Sequence, residues 1–142
     1  MGTNGISTLL NKFSGVLGIS GISSDMREIE AGIKNGNKRA QLAMNTYNYR
    51  IKKYVGSYAA VLGGVDILVF TGGVGENQAI TRSDVCKNME FMGIELDEEL
   101  NASVRATEVV ISKPTSKVKV VIIPTDEELT IAKDTVEILR NK

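Results

Sequence analysis

Val65-Asp66-Ile67-Leu68-Val69-Phe70-Thr71-Gly72-Gly73-Val74-Gly75-Glu76-Asn77 is an apolar run that breaks abruptly into a glycine-rich turn. Residues 65–70, rich in Val, Ile, Leu and Phe, predict a buried strand covered on both faces. Gly72, Gly73 and Gly75 permit tight backbone angles and close approach of a ligand. An amphipathic segment follows Asn77, which puts the loop at a helix N-terminus. Free N–H groups and the positive end of the helix dipole suit such a place to a phosphate. The same glycines equally suit a loop that only turns the chain, and the stretch alone leaves both readings open.

Upstream, Gly63-Gly64 stops a long helix that begins at Asn37 or Lys38 and runs to about Leu62. Leu42, Tyr47, Ile51, Tyr54, Val55, Tyr58 and Leu62 form its expected apolar face, with Lys38, Gln41, Asn45, Asn48 and Lys52 opposite. Before it, Ser24 or Asp25 caps a shorter helix with Met26, Ile29 and Ile33 as its stripe and Gly36 as its stop. The Asp25/Glu28 spacing is that of a capping pair. Residues 14–21 alternate small and apolar side chains, as a short strand or extended loop would.

Downstream, Ile80, Val85, Met89 and Met92 mark a further helix closed by Gly93. Residues 108–112 and 118–123 read as two strands joined by a turn at 113–117, able to pair as a hairpin. Pro124-Thr125-Asp126-Glu127-Glu128 then reads as a strand exit and capping box, Thr125 capping and Glu128 answering. Leu129, Ala132, Val136 and Leu139 follow as the expected buried stripe. Glu127, at the mouth of the same face, is left without a structural duty. Helix, strand, loop and helix in this order predict an α/β fold.

At 142 residues the chain is expected to form a single domain, 1–142, with residues 1–7 disordered or left over from cloning. Lysine plus arginine number 17 and aspartate plus glutamate 17, and no basic block stands out, so neither a nucleic-acid nor an anionic-membrane partner is expected. Cys86 is the only cysteine, which excludes an internal disulfide and suggests an inert core thiol in a reducing compartment. Without a signal peptide or an apolar run of membrane-spanning length, the expected location is cytoplasmic. The chain has no histidine, so histidine-based triads, metal sites and general bases are excluded. Any chemistry rests on carboxylates, Arg, Lys and backbone amides.

Gln78 stands where a dinucleotide fingerprint needs its third glycine, and no GK[ST] P-loop is present. Five segments nonetheless resemble, in order, the C-terminal part of acetate kinase. They are Leu10-Asn11-Lys12, Ser14 to Gly21, Ser23-Ser24-Asp25-Met26-Arg27, Phe70 to Asn77 and Ile123 to Leu129. The resemblance runs from about Thr8 to Leu139. It implies a C-terminal ribonuclease-H-like domain of the acetate and sugar kinase/Hsp70/actin type, a mixed sheet flanked by helices. It also implies reversible phosphoryl transfer between ATP and acetate, with Mg²⁺.

By the same resemblance Asp25, Met26 and Arg27 line the adenosine pocket, and Gly73, Val74, Gly75, Glu76 and Asn77 contact the ATP or ADP. Glu127 helps to place Mg²⁺. Many family members carry Phe at the position of Met26, which still offers a polarizable contact. Considered as residues alone, Arg27 also fits an exposed arginine paired with Asp25 or Glu30, and Glu127 a helix-dipole carboxylate. The family's acid pocket, its phosphate-binding arginines and histidines and a metal-positioning Asn lie N-terminal to this stretch and have no counterpart here. The implied partners are the N-terminal part of the enzyme and a second copy, through the tyrosine-rich 38–62 helix. The isolated chain is then expected to be inactive. A stand-alone nucleotide-binding or dimerisation module is the alternative, and propionate an alternative substrate. No catalytic residue is expected within this stretch.

Overall fold

A computed structural model describes residues 2–141. Its helices are α1 (Thr3–Lys12), α2 (Gly15–Ser20), α3 (Met26–Lys34), α4 (Lys38–Leu62), α5 (Gly72–Asn77), α6 (Ala79–Cys86), α7 (Glu98–Ser103) and α8 (Glu127–Arg140). Strands β1 (Ile67–Phe70), β2 (Val109–Val110) and β3 (Lys119–Ile122) form one mixed sheet in the order β1-β3-β2. β1 runs parallel to β3, with Phe70 beside Ile122, and β2 pairs antiparallel with β3 as the predicted hairpin. A 3₁₀ turn at Glu90–Met92 follows α6.

Two apolar clusters hold these elements. Val85, Cys86 and Met89 pack against Phe70, Val118, Val120 and Ile122 of the sheet region, together with Ile94 and Ile111. Each fully buried aliphatic side chain contributes roughly 1.5–3 kcal/mol of transfer free energy. Met26 and Ile29 of α3 close on Ala40 and Met44 of α4 to form the second cluster. Burial also pushes the Cys86 thiol up to about 12, so it is the inert core thiol the sequence suggests.

The long helix has the predicted bounds because its ends are marked chemically. The Asn37 side chain accepts the Arg39 and Ala40 N–H groups, and Gly63 closes the helix with a left-handed φ of 77°. Its buried face differs from the expected one. Ala40, Ala43, Met44, Asn48 and Ala59 are buried and Ile51 and Val55 pack against the sheet-side cluster, while Leu42, Tyr54, Tyr58 and Leu62 are exposed. The small alanines let neighbouring backbone approach. Asn48, expected on the polar side, points inward because its amide donates to Asp84 at 2.8 Å.

Other expectations are corrected by local packing. Residues 15–20 are helix α2, stopped by Gly21 in a left-handed conformation, and not a strand. β1 is an edge strand with one covered face: Phe70 is buried, whereas Ile67 and Val69 are exposed. Helix α6 ends at Cys86, and Met89 and Met92 belong to the turn that follows. In α8 the cap is Asp126, which accepts the Leu129 N–H, rather than Thr125, and Leu129, Val136 and Leu139 are exposed rather than buried.

Candidate nucleotide-binding site

The glycine-rich stretch is itself a short helix. Thr71 is extended, Gly72 takes a left-handed φ of 69°, and α5 follows at once. Only glycine adopts that conformation without strain, so Gly72 makes the strand-to-helix turn possible. Gly75 faces β1, where an added Cβ would stand 3.2 Å from the Phe70 carbonyl carbon. A Cβ on Gly73 would meet nothing within 4 Å. Gly75 therefore allows helix and strand to approach, while Gly73 keeps an open surface.

That surface is one wall of a cleft of about 700 Å³, a size suited to a nucleotide-sized ligand. Gly73, Val74, Asn77 and Gln78 form one side. Ser24, Asp25, Met26, Arg27 and Glu30 form the other, and Arg105 lies at its margin. Of the eight cofactor positions expected from the sequence, Asp25, Met26, Arg27, Gly73, Val74 and Asn77 thus converge. Gly75 and Glu76 do not line the cleft: Gly75 packs on β1, and the Glu76 carboxylate turns toward Thr125.

Asp25 organises the opposite wall. One of its oxygens accepts the Arg27 N–H at 2.8 Å as the helix cap, and its carboxylate takes a fork from the Arg27 guanidinium, at 2.6 Å from Nη2. The hydrogen bonds from Arg27 lower the Asp25 carboxyl from its ordinary 3.8 to about 2. The pairing foreseen as the plain structural role of Arg27 is therefore present. The Arg27 side chain nevertheless remains 89% exposed at the cleft, oriented rather than consumed by its partner. Met26 contributes less surface than expected, because most of its side chain belongs to the α3–α4 core.

Three residues in or behind the cleft walls were not singled out from sequence as site-forming. Gln78 is buried and donates to the Met26 carbonyl at 3.1 Å, tying the two walls together. Arg105 donates to the Asn77 carbonyl at 3.2 Å, and the next residue, Ala106, sits at a positive φ of 42° while its N–H meets the Glu76 carbonyl. Arg82 is wholly buried, and its donors reach the carbonyls of Gly75, Glu76, Asn101 and Val104 and the Asn101 side chain. Burial lowers its pKa, yet a guanidinium stays charged, so it neutralises the carbonyl end of α5. The only sequence signal for Gln78 was its place where a third glycine was wanted. A lone arginine in a polar helical segment gave no signal at all.

Glu127 opens α8, is exposed and is not among the residues that line the cleft. Among the described residues no cluster of three or more acidic or thiol ligands could hold a metal. What Glu127 offers is a single hard carboxylate oxygen. Mg²⁺ accepts that arrangement, since it keeps several waters and binds through one or two carboxylates plus phosphate.

The model of the acetokinase family matches residues 1–133. The chain belongs to the acetokinase family. It is 68% identical over 136 residues to an acetate kinase of Porphyromonas gingivalis, covering 96% of this chain and 34% of that protein. An acetate kinase of Bacteroides thetaiotaomicron is 67% identical over 140 residues, 99% of this chain and 35% of that protein. The acetokinase-family chain thus spans about a third of the length of the curated relatives it matches.

Solved structures carry the same fold. The crystal structure of Porphyromonas gingivalis acetate kinase superposes with a TM-score of 0.91 at 65% identity, over 98% of this chain and 35% of that one. A propionate kinase from Francisella tularensis gives 0.81 at 36% identity, over 93% of this chain and 33% of its own. The mixed sheet flanked by helices is accordingly the sugar kinase/actin-like ATPase fold of the acetate kinases. Among the described residues no helix is long and apolar enough to cross a membrane.

Proposed function

We propose that this chain forms the C-terminal nucleotide-binding wall of an acetate kinase, with ATP or ADP in the cleft between α3 and α5. The observation that carries the reading is the convergence of Asp25–Arg27 with Gly73, Val74 and Asn77, two segments far apart in sequence, on one nucleotide-sized space. Gly73 presents backbone without a Cβ. Arg27, held by Asp25, stacks on or donates to the nucleotide from the other side. Gly75 and Glu76 support α5 from behind.

In the reaction, acetate oxygen attacks the terminal phosphorus of ATP as the bond to the ADP oxygen breaks. Catalysis of this kind consists of positioning and charge stabilisation. The residues of this chain bind and orient the nucleotide. Glu127 would supply one carboxylate, directly or through water, to Mg²⁺, which when bound would contribute charge neutralisation at the phosphates. The acid, acetate or propionate, is selected by groups outside this chain, as are the cations that meet the transferred phosphate. In a coupled assay with acetate, ATP and Mg²⁺ the chain alone is expected to show no turnover, while calorimetry detects saturable ADP binding. Turnover of even a few per cent of a whole acetate kinase would overturn the incomplete-site reading. No ADP binding at millimolar concentration would overturn the nucleotide assignment.

A homodimer through α4 is the second reading, and the exposed aromatic face of that helix favours it. Tyr54 and Tyr58 stack at 6.2 Å between ring centroids while both remain more than half exposed. Sedimentation at micromolar concentration showing only monomer would remove it. A single domain in the cytoplasm accords with the buried, unreactive Cys86 thiol.

A further inference from the structure

Glu76 belongs to the same short helix as the cleft residues, yet its carboxylate leaves by another face. Gly73 and Asn77 stand about one turn apart on the cleft side, and Glu76 is rotated roughly 100° from Asn77. The residue is 8% exposed. Its Oε1 accepts the Thr125 N–H at 2.8 Å and the Thr125 hydroxyl at 2.9 Å. Bonds to an ionised acceptor are roughly twice as strong as neutral ones.

Thr125 lies between β3 and α8, two residues before Glu127. Helix α8 buries none of its own side chains, so its direction depends on how its entry is held. Two ties do this. The Ile123 N–H donates to the Phe70 carbonyl at 3.0 Å, and Thr125 is gripped by Glu76. Both anchors belong to the β1–α5 segment, which also carries one wall of the cleft.

We propose that Glu76 is a positioning residue that fixes Glu127 relative to the nucleotide by holding Thr125. The inference rests on the nucleotide and Mg²⁺ reading above and adds a link within it. Helix α5 holds the nucleotide with Gly73, Val74 and Asn77. Through Glu76 it also sets the entry of α8, and so the place of Glu127, which would supply a carboxylate to the nucleotide's metal.

The test uses the 142-residue chain and the variants Glu76→Ala, Glu76→Gln and Thr125→Val. Hydrogen exchange of the amides from Thr125 to Thr130 is followed without ligand, and ADP is titrated by calorimetry with MgCl₂ and with EDTA. In Glu76→Ala the α8 entry exchanges at least about tenfold faster, a difference of roughly 1.4 kcal/mol. The gain in ADP affinity from Mg²⁺ is lost, while affinity in EDTA stays within about twofold. Glu76→Gln keeps an acceptor oxygen and recovers most of the protection. Thr125→Val removes one of the two bonds and gives an intermediate result, and it carries the test if Glu76→Ala does not fold.

Unchanged exchange at the α8 entry in Glu76→Ala overturns the proposal. So does an equal loss of ADP affinity with and without Mg²⁺, which would make Glu76 a nucleotide contact or a general prop. If the unmodified chain binds no ADP, the nucleotide reading falls and the positioning role falls with it. The exchange data then still show separately whether Glu76 holds Thr125.

Discussion

Replacing Arg82 with methionine keeps much of the side-chain length and removes all of its donors. All five guanidinium N–H groups are matched in the native fold. Nε meets the Asn101 side chain at 2.7 Å, Nη1 meets the carbonyls of Gly75 and Glu76 at 2.9 and 3.1 Å, and Nη2 meets those of Asn101 and Val104 at 3.0 and 3.1 Å. The substitution strands these acceptors apart from the Glu76 carbonyl, which keeps the Ala106 N–H, and an unsatisfied buried acceptor costs about 1–3 kcal/mol. It also removes the desolvation penalty of one ion, several kcal/mol in a protein interior, which offsets much of that sum. Partial rewetting offsets more, leaving a net loss of roughly 3–5 kcal/mol. For a chain of this length the melting temperature should fall by about 10–15 °C. Lysine at the same position keeps the charge but radiates its donors from one point and cannot span both carbonyl pairs, so it should recover less than half of the loss. Circular dichroism melts at pH 7 decide it. A shift below about 2 °C for Arg82→Met would refute the view that Arg82 ties α5, α6 and α7 together.

Two glycines in α5 separate folding from binding. Gly73→Ala adds a methyl to the open cleft wall and should leave the melting temperature unchanged while weakening ADP binding at least about fivefold, near 1 kcal/mol. Gly75→Ala pushes a methyl against the Phe70 backbone and should lower the melting temperature by several degrees. Exchanged outcomes in paired melts and titrations would reverse the assignment. Stability should also fall in acid. The Asp25 carboxyl is lowered to about 2 by Arg27, and that of Glu76 lies below its ordinary 4.5 because Thr125 donates to it. A carboxyl lowered in the folded state stabilises it above its ordinary pKa and loses that effect as pH falls through the lowered value. Urea midpoints should therefore hold as pH drops to about 5 and decline toward pH 2, with a shallower decline in Asp25→Asn.

Much of this molecule was legible because its boundaries are chemical. Asn37 and Gly63 bracket α4, Asp25 caps α3, and the β2–β3 hairpin follows from two β-branched runs around a turn. The failures have a shared cause, that periodicity identifies apolar residues without saying which of them find partners. On α4 the alanines and Asn48 face the interior, where close backbone approach and Asp84 reward small or amide side chains, and the large Tyr54, Tyr58 and Leu62 remain outside. The stripe of α8 has the right spacing yet stays exposed. β1 reads as covered on both faces but stands at the sheet edge. Residues 14–21 hid a helix because glycine and serine obscure its repeat. In the cleft, the two walls were recognisable as motifs, whereas the groups that join them were not. Gln78, Arg82 and Arg105 act through backbone carbonyls, and such acceptors leave no mark in sequence.

Helices α3 and α5 together are expected to receive a nucleotide. Chemical-shift mapping of the isotope-labelled chain during ADP titration tests it most directly. Saturable shifts should concentrate on the amides of Met26, Arg27, Gly73, Val74, Asn77 and Arg105 and follow a single binding curve. A titration that leaves these amides unmoved, or that moves instead the exposed face of α4 around Arg50, Lys53 and Tyr54, would contradict it.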